Sequence, residues 1–257
     1  MPYRLPPHPQ LIAHRGNAGP SPENTRLAIE QAIAVGVDMV EVDVRLSREG
    51  VPVLIHNATL EQTTSGSGPV DRHTLSQLKR LDAGGWKGAQ FAGEPLLTLN
   101  EALELARSRV ALNLDLKTPQ AIGTTLKSVR DMGMANQVVI SGCTWLPVRS
   151  IRASNPEVTV LLNVSKSLDF LARRGHAALF RVAYLAQART AAAAGINVNH
   201  LYIDRDLIAA AHLAGLTVWT WTVDDGQRLR ELADLGVDAI TTNWPEVMIQ
   251  VMERPKS

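Results

Sequence analysis

The chain has 257 residues, 45% hydrophobic and 20% charged, the composition of a globular protein with room for one barrel-sized core rather than of a disordered segment. Its 26 Lys and Arg stand against 25 Asp and Glu, and a net charge of +1 excludes a whole-protein field suited to nucleic acid, so any anion is bound locally. The single Cys143 excludes an internal disulfide framework and reads as a small core residue; with no signal-peptide-length apolar stretch in residues 1–10 and no run near the roughly 18 apolar residues of a membrane span, the expectation is a cytoplasmic protein without stable membrane insertion.

Strand-like runs fall at 11–13, 39–46, 51–56, 110–116, 138–141, 158–163, 200–204, 217–223 and 239–242. Segments of helical length and period lie between most of them, at 24–36, 99–107, 120–133, 145–154, 205–215 and 226–236. Only Ser47-Arg48-Glu49-Gly50 separates the second run from the third, and a parallel crossover needs about a dozen residues, so the third returns as a hairpin partner. Eight strands remain, which predicts an α/β fold of the TIM (β/α)8 barrel type, a fold of about 250 residues. An open doubly wound sheet is the alternative, and it lacks a Gly-rich fingerprint after the first strand. Residues 57–98, with Ser65-Gly66-Ser67-Gly68-Pro69 and Gly84-Gly85-Trp86-Lys87-Gly88, are expected to form an insertion over the barrel mouth within a single domain spanning 1–257. Asn24 or Thr25 before Leu27-Ala28-Ile29 reads as a helix start, and Ala191–Ala194 as a helix former.

In a barrel, polar residues at the C-terminal ends of strands are candidates for the active face. Side chains alternate along a strand, so Val40, Val42 and Val44 share one face and Glu41 and Asp43 the other. Leu112-Asn113-Leu114-Asp115-Leu116-Lys117 repeats the arrangement, with Asn113, Asp115 and Lys117 opposite the leucines. Buried like charges need a cation or a shared proton. Carboxylate oxygens without a Cys or His cage favour one divalent cation among Mg²⁺, Ca²⁺ and Mn²⁺; an internal ion-pair network of Glu41, Asp43, Asp115 and Lys117 is the structural alternative.

The first strand ends in Ile12-Ala13-His14-Arg15-Gly16, with Gly16 suited to a sharp exit. A four-residue turn at 47–50 sets Leu46 against Val51, and counting back sets His56 against Glu41, beside the carboxylates, provided no bulge shifts the register. His8, His73, His176, His200 and His212 read as hydrogen-bonded structural groups. His14 and His56 suit a general acid and base, and Arg15 and Lys117 an anionic oxygen, a constellation fitting phosphoryl transfer.

These residues resemble the glycerophosphodiester phosphodiesterase family along nearly the whole chain. The motifs are His14-Arg15-Gly16, Pro22-Glu23-Asn24-Thr25, Glu41-Val42-Asp43, His56-Asn57, Gln62-Thr63-Thr64, Asp82-Ala83-Gly84, Phe91-Ala92-Gly93-Glu94, Trp221-Thr222-Val223, Gly236-Val237-Asp238 and Thr242-Asn243-Trp244-Pro245. The resemblance implies a TIM barrel, a divalent metal on Glu41, Asp43 and Asp115, and His14 and His56 as catalytic acid and base. It also implies phosphate binding by Arg15 and Lys117, with Trp221 as an apolar wall for glycerol or else as barrel core. The implied reaction has a glycerol hydroxyl attack phosphorus, the alcohol leave, and water open the cyclic phosphate, giving glycerol 3-phosphate from a small-molecule phosphodiester. Asp115 stands where the family usually has Glu, Asn57 where it has Asp, and Gln62 where it has Arg. A lysophospholipase D activity, with Trp86 and Phe91 toward lipid, and a non-catalytic binding barrel are the other readings.

Overall fold

A computed structural model describes residues 9–253, so the expectations for His8 and for the segment before Pro9 lie outside the described residues. The described residues form nine strands: β1 (Gln10–Ala13), β2 (Met39–Leu46), β3 (Pro52–Leu54), β4 (Ala111–Leu116), β5 (Val138–Ser141), β6 (Thr159–Asn163), β7 (Gly195–Asn199), β8 (Thr217–Trp221) and β9 (Ala239–Thr242). All pair in parallel except β3, and pairing of β1 with both β9 and β2 closes eight of them into a barrel. The helices are α1 (Arg26–Val35), α2 (Leu75–Leu78), α3 (Leu99–Ala106), α4 (Ala121–Asp131), α5 (Trp145–Ser154), α6 (Lys166–Arg173), α7 (Ala177–Thr190), α8 (Arg205–Leu213), α9 (Gly226–Leu235) and α10 (Pro245–Glu253). This is the TIM barrel expected from the strand count.

Alternation along the strands separates two apolar layers. Leu11, Val40, Val42, Leu112, Leu114, Ile140, Val160, Ile196, Val218 and Ile240 face the helices. Ile12, Met39, Ala111, Val139, Leu161, Trp219 and Ala239 fill the barrel interior. The polar residues of the candidate site continue the interior row toward the strand C-termini, Glu41 two residues after Met39 and His14 two after Ile12. Segment 57–98 carries α2 and two 3-10 turns around a small core of its own, in which Leu60, Val70, Leu78, Ala83 and Leu96 pack with Val53 and Ile55. Lys87 Nζ ties it to the loop after β1 by donating to the Ala18 carbonyl at 2.8 Å.

β2 has room for three partners because it is eight residues long. One edge pairs with β4 from Met39 to Val44. The other is shared, with β1 on Met39 and Val40 and β3 on Val44 to Leu46.

Three expectations are corrected. The hairpin turn has three residues, not four, because Ser47 and Val51 exchange bonds (Ser47 N–H to Val51 O at 2.9 Å, Val51 N–H to Ser47 Oγ at 3.2 Å), and Gly50 at φ +79° supplies the left-handed residue such a loop needs. Leu46 therefore opposes Pro52, and the facing of His56 with Glu41 is lost by one residue. The sixth barrel strand, β7, is Gly195–Asn199, and 200–204 begins instead with a 3-10 turn at His200–Tyr202. Ile196 and Val198 are the fully buried pair there, whereas Leu201 is 73% exposed. Ala191–Ala194 is not helical, since α7 stops at Thr190 and Ala192 adopts φ +54° to turn the chain into β7. A tertiary demand for the strand overrides local helix propensity.

Among the described residues no helix is long and apolar enough to cross a membrane. The outer layer is tied to the barrel by Tyr184 of α7, fully buried, whose hydroxyl donates to the Leu162 carbonyl at 2.6 Å and lies 3.1 Å from the Asn197 carbonyl. Tyr184→Phe is expected to cost about 1–2 kcal/mol, read as a lower urea midpoint at unchanged slope.

Candidate active site

The site forms where β1, β2 and β4 end. Glu41 is in register with Asn113, and Asp43 with Asp115, so the four side chains share the interior face. Carboxylate oxygens of Glu41, Asp43 and Asp115 lie within 4.8 Å of one another. Space for Asp115 depends on Gly142 at φ +77°, where an added Cβ would lie 2.0 Å from Asp115 Oδ1 and 2.5 Å from the Leu116 carbonyl.

Asp43, fully buried, is the most heavily partnered of the three. Lys117 Nζ lies 2.7 Å from its Oδ1, Arg15 Nε 3.1 Å from its Oδ2, and Asn24 Nδ2 donates to Oδ2 at 2.8 Å. The Asp43 backbone N–H in turn donates to Asn24 Oδ1 at 3.0 Å. Burial opposes its ionisation, but Lys117 and Arg15 outweigh burial and hold its carboxyl below the usual range. Lys117 also reaches Asp115 Oδ2 at 2.8 Å, so much of the ion-pair network weighed as an alternative is present. Burial tends to strip its proton, and Asp115, Asp43 and Glu41 more than reverse this, leaving its pKa raised.

Glu41 is the outlier. Its Oε2 accepts the Arg15 backbone N–H at 2.8 Å, while its Oε1 is buried without a hydrogen-bond partner, as is Oδ1 of its in-register neighbour Asn113. Burial, then the charges of Asp43 and Asp115, push its carboxyl well above the ordinary range. Two buried acceptors lacking a donor beside three clustered carboxylates are the donor set of a hard divalent cation, and the residues present fit one.

The loop after β1 bends sharply, with Arg15 at φ +53° and Gly16 at φ +82°, where a Cβ would meet Ala28 at 2.6 Å. That bend turns the Arg15 N–H toward Glu41 and its guanidinium toward Asp43 and Glu23, both of whose oxygens lie 2.9 Å from Nη1. His14 Nε2 stands 3.9 Å from Glu41 Oε2, and its Nδ1 meets Asn243 Oδ1 at 2.7 Å. Burial, then the Arg15 charge, push its pKa down to about 4, so the ring is neutral near pH 7.

The backbone brings His56 to the same edge of β2 as His14. β1 leaves the shared edge of β2 after Val40, and β3 descends the same edge until the Ile55 N–H donates to the Asp43 carbonyl at 3.1 Å. His14 and His56 are therefore the residues at which two chains meet along one edge of β2. His56 Nδ1 meets Asn57 Oδ1 at 2.9 Å. Trp221 ends β8, 37% exposed, and lines a pocket of about 220 Å³ with Asn163, Asn199 and Tyr202, so it is a mouth residue while Trp219 belongs to the core. A larger cleft of about 670 Å³ opens beside Lys117, with Gly142, Thr144 and Lys166 in its wall.

Asn24 proves to be a ligand of Asp43 rather than the helix cap, a role filled by Thr25. Gly142, Asn243 and Asp224 were not singled out as site residues. Only Asn243 carried a signal, as part of the Thr242-Asn243-Trp244-Pro245 motif.

An eight-stranded barrel with carboxylates, imidazole and guanidinium gathered at strand C-termini has the arrangement of a barrel enzyme. The chain belongs to the glycerophosphoryl diester phosphodiesterase family, whose model matches residues 14–247, and by class it is a phosphoric diester hydrolase. It is similar to the glycerophosphodiester phosphodiesterase of Caldanaerobacter subterraneus subsp. tengcongensis, 30% identical over 250 residues, covering 95% of this chain and 98% of that one. Among solved structures it resembles an Oleispira antarctica phosphodiesterase in complex with the product sn-glycerol-3-phosphate, with a TM-score of 0.85 at 29% identity, over 96% of this chain and 98% of that one. A glycerophosphodiester phosphodiesterase from Agrobacterium tumefaciens is similar with a TM-score of 0.79 at 29% identity, over 94% of this chain and 99% of that one.

Cys143 follows Gly142 and is 3% exposed; burial, then the Asp115 charge, push its thiol up to about 12. The folded protein is expected to resist alkylation by iodoacetamide at pH 8 and to react once unfolded in urea, as read by intact mass.

Proposed function

We propose that the protein hydrolyses small glycerophosphodiesters to glycerol 3-phosphate and an alcohol, using one divalent cation and two histidines on a single barrel domain that carries 57–98 as its insertion. The observation that carries this reading is the buried Glu41–Asp43–Asp115 cluster, with an acceptor oxygen of Glu41 left without a donor and the His14 imidazole beside it. Family membership and the product-bound relative support the substrate class. The single buried Cys143 supports a cytoplasmic location.

Glu41, Asp43 and Asp115 would hold the cation, which when bound supplies charge neutralisation to the phosphate oxygens. Arg15, fixed by Asp43 and Glu23, offers its guanidinium edge to a phosphate oxygen. Lys117, resting on Asp43 and Asp115, would offer its ammonium to a phosphate oxygen. Trp221 gives the glycerol carbons an apolar wall.

Proton transfer falls to the imidazoles. One, entering as the neutral ring, removes the proton of a glycerol hydroxyl as that oxygen bonds to phosphorus, and the other, entering as the imidazolium, protonates the oxygen of the departing alcohol as its bond to phosphorus breaks. The two then exchange roles. Water loses a proton to the second imidazole as it bonds to phosphorus, and the first returns its proton to the glycerol oxygen as the cyclic ester opens.

Purified protein is expected to release glycerol 3-phosphate from glycerophosphocholine or glycerophosphoethanolamine, to stop in EDTA, and to recover with Mg²⁺, Ca²⁺ or Mn²⁺. His14→Ala and His56→Ala should each lower kcat by about 10²–10⁴. Turnover undiminished by EDTA, or by either substitution, would overturn the reading.

Metal binding can be read without turnover. The melting temperature of the EDTA-treated wild type should rise by several degrees when the activating ion is added, since binding at a hundredfold excess over Kd stabilises by about 2.7 kcal/mol. Glu41→Gln should abolish that rise while melting, metal-free, no lower than wild type, because it replaces a buried carboxyl that is costly to ionise and lacks a full set of partners.

A further inference from the structure

The two histidines share a detail that the carboxylate cluster does not require. Each turns Nδ1 onto the side-chain oxygen of an asparagine, His14 onto Asn243 and His56 onto Asn57. A carboxamide has a donating and an accepting end, and the one that meets the ring is decided by what holds the other. Asn243 is held by Asp224, whose Oδ2 accepts its Nδ2 at 2.6 Å and whose Oδ1 accepts its backbone N–H at 2.8 Å. A carboxylate only accepts, so the amide end of Asn243 is committed there. Asn57 donates Nδ2 to Gln62 Oε1; Gln62 is itself a carboxamide with both a donating and an accepting end, so this orientation belongs to the pair together and is not enforced by a carboxylate as at Asn243. In both cases an oxygen faces the ring. The proton between them must sit on Nδ1, which leaves Nε2 as the atom that takes and gives the catalytic proton.

Resting on the reading of His14 and His56 as acid and base, we infer that Asp224–Asn243 and Gln62–Asn57 are two clamps of positioning residues that hold both imidazoles in the Nδ1–H tautomer. The second clamp explains why positions 57 and 62 depart together from the Asp and Arg that the family resemblance leads one to expect. An Asp at 57 accepts from the ring and from an Arg at 62; Asn57 accepts from the ring and donates to Gln62. The task is the same, performed without charge. A mixed pair fails. Arg at 62 offers only donors, so Asn57 turns its oxygen to the guanidinium and its amide to the ring, and the proton moves to Nε2.

The test uses the full-length protein labelled with ¹⁵N-histidine, read near pH 7.5 by long-range ¹H–¹⁵N spectra, with His14→Ala and His56→Ala assigning the signals. Both rings are expected in the Nδ1–H form. Gln62→Arg should move His56, and not His14, to the Nε2–H form, and lower kcat for glycerophosphocholine by about tenfold or more with KM within about twofold. The double variant Asn57→Asp/Gln62→Arg should restore both the tautomer and kcat. An Nε2–H ring at either position in the wild type, or a Gln62→Arg protein whose His56 keeps its proton on Nδ1, would overturn the clamps. Full activity in either alanine variant would instead overturn the catalytic reading on which the clamps rest, so the two failures are distinguishable.

Discussion

The site is organised around the carboxylate of Asp43. It is fully buried, and such a charge costs several kcal/mol unless partners surround it. Its partners come from three separate stretches of chain: Lys117 beyond β4, Arg15 beyond β1 and Asn24 ahead of α1. Satisfying one buried carboxylate thus fixes the loop after β1, the entry to the first helix and the cation beyond β4. Arg15, held this way, presents its backbone N–H to Glu41, and His14 sits immediately before it. Asp43 is a candidate ligand and also the anchor of residues that would surround the substrate.

Stability and function pull apart one pleat away. Glu41 keeps an oxygen without a donor, its neighbour Asn113 does the same, and the pressure on the Glu41 carboxyl is toward protonation. Sheet packing alone would favour an apolar pair at these in-register positions, as found one layer below with Met39 and Ala111. Polar residues in a closed interior, at the strand ends where barrel enzymes work, are the groups that the proposed cation would satisfy.

The fold was legible because it depends on local patterns. Alternation in Val40-Glu41-Val42-Asp43-Val44 and in Leu112–Leu116 needs only the two-residue period of a strand, and the observed faces follow it. What escaped were features set by contacts distant in sequence. The turn at Ser47 closed one residue tighter because a side-chain hydroxyl entered the backbone pattern. The seventh strand lay at Gly195–Asn199 because the barrel needed it there, against an alanine run that favours helix. Gly142 carries no chemistry of its own and matters only because Asp115, about one crossover earlier in the chain, needs the space.

The sequence by itself determined the eightfold barrel and the carboxylates that face inward, and it singled out His14 and His56 as candidates, since periodicity and residue chemistry are properties of short stretches. The tertiary structure decided how those groups are held: Lys117 lying across Asp43 and Asp115, Asn24 turned to Asp43 instead of capping a helix, and His14 and His56 meeting along one edge of β2. It also decided which asparagine backs each imidazole, one of them 229 residues away. Hydrogen-bond direction depends on every partner around a group, and those partners are assembled only when the barrel closes.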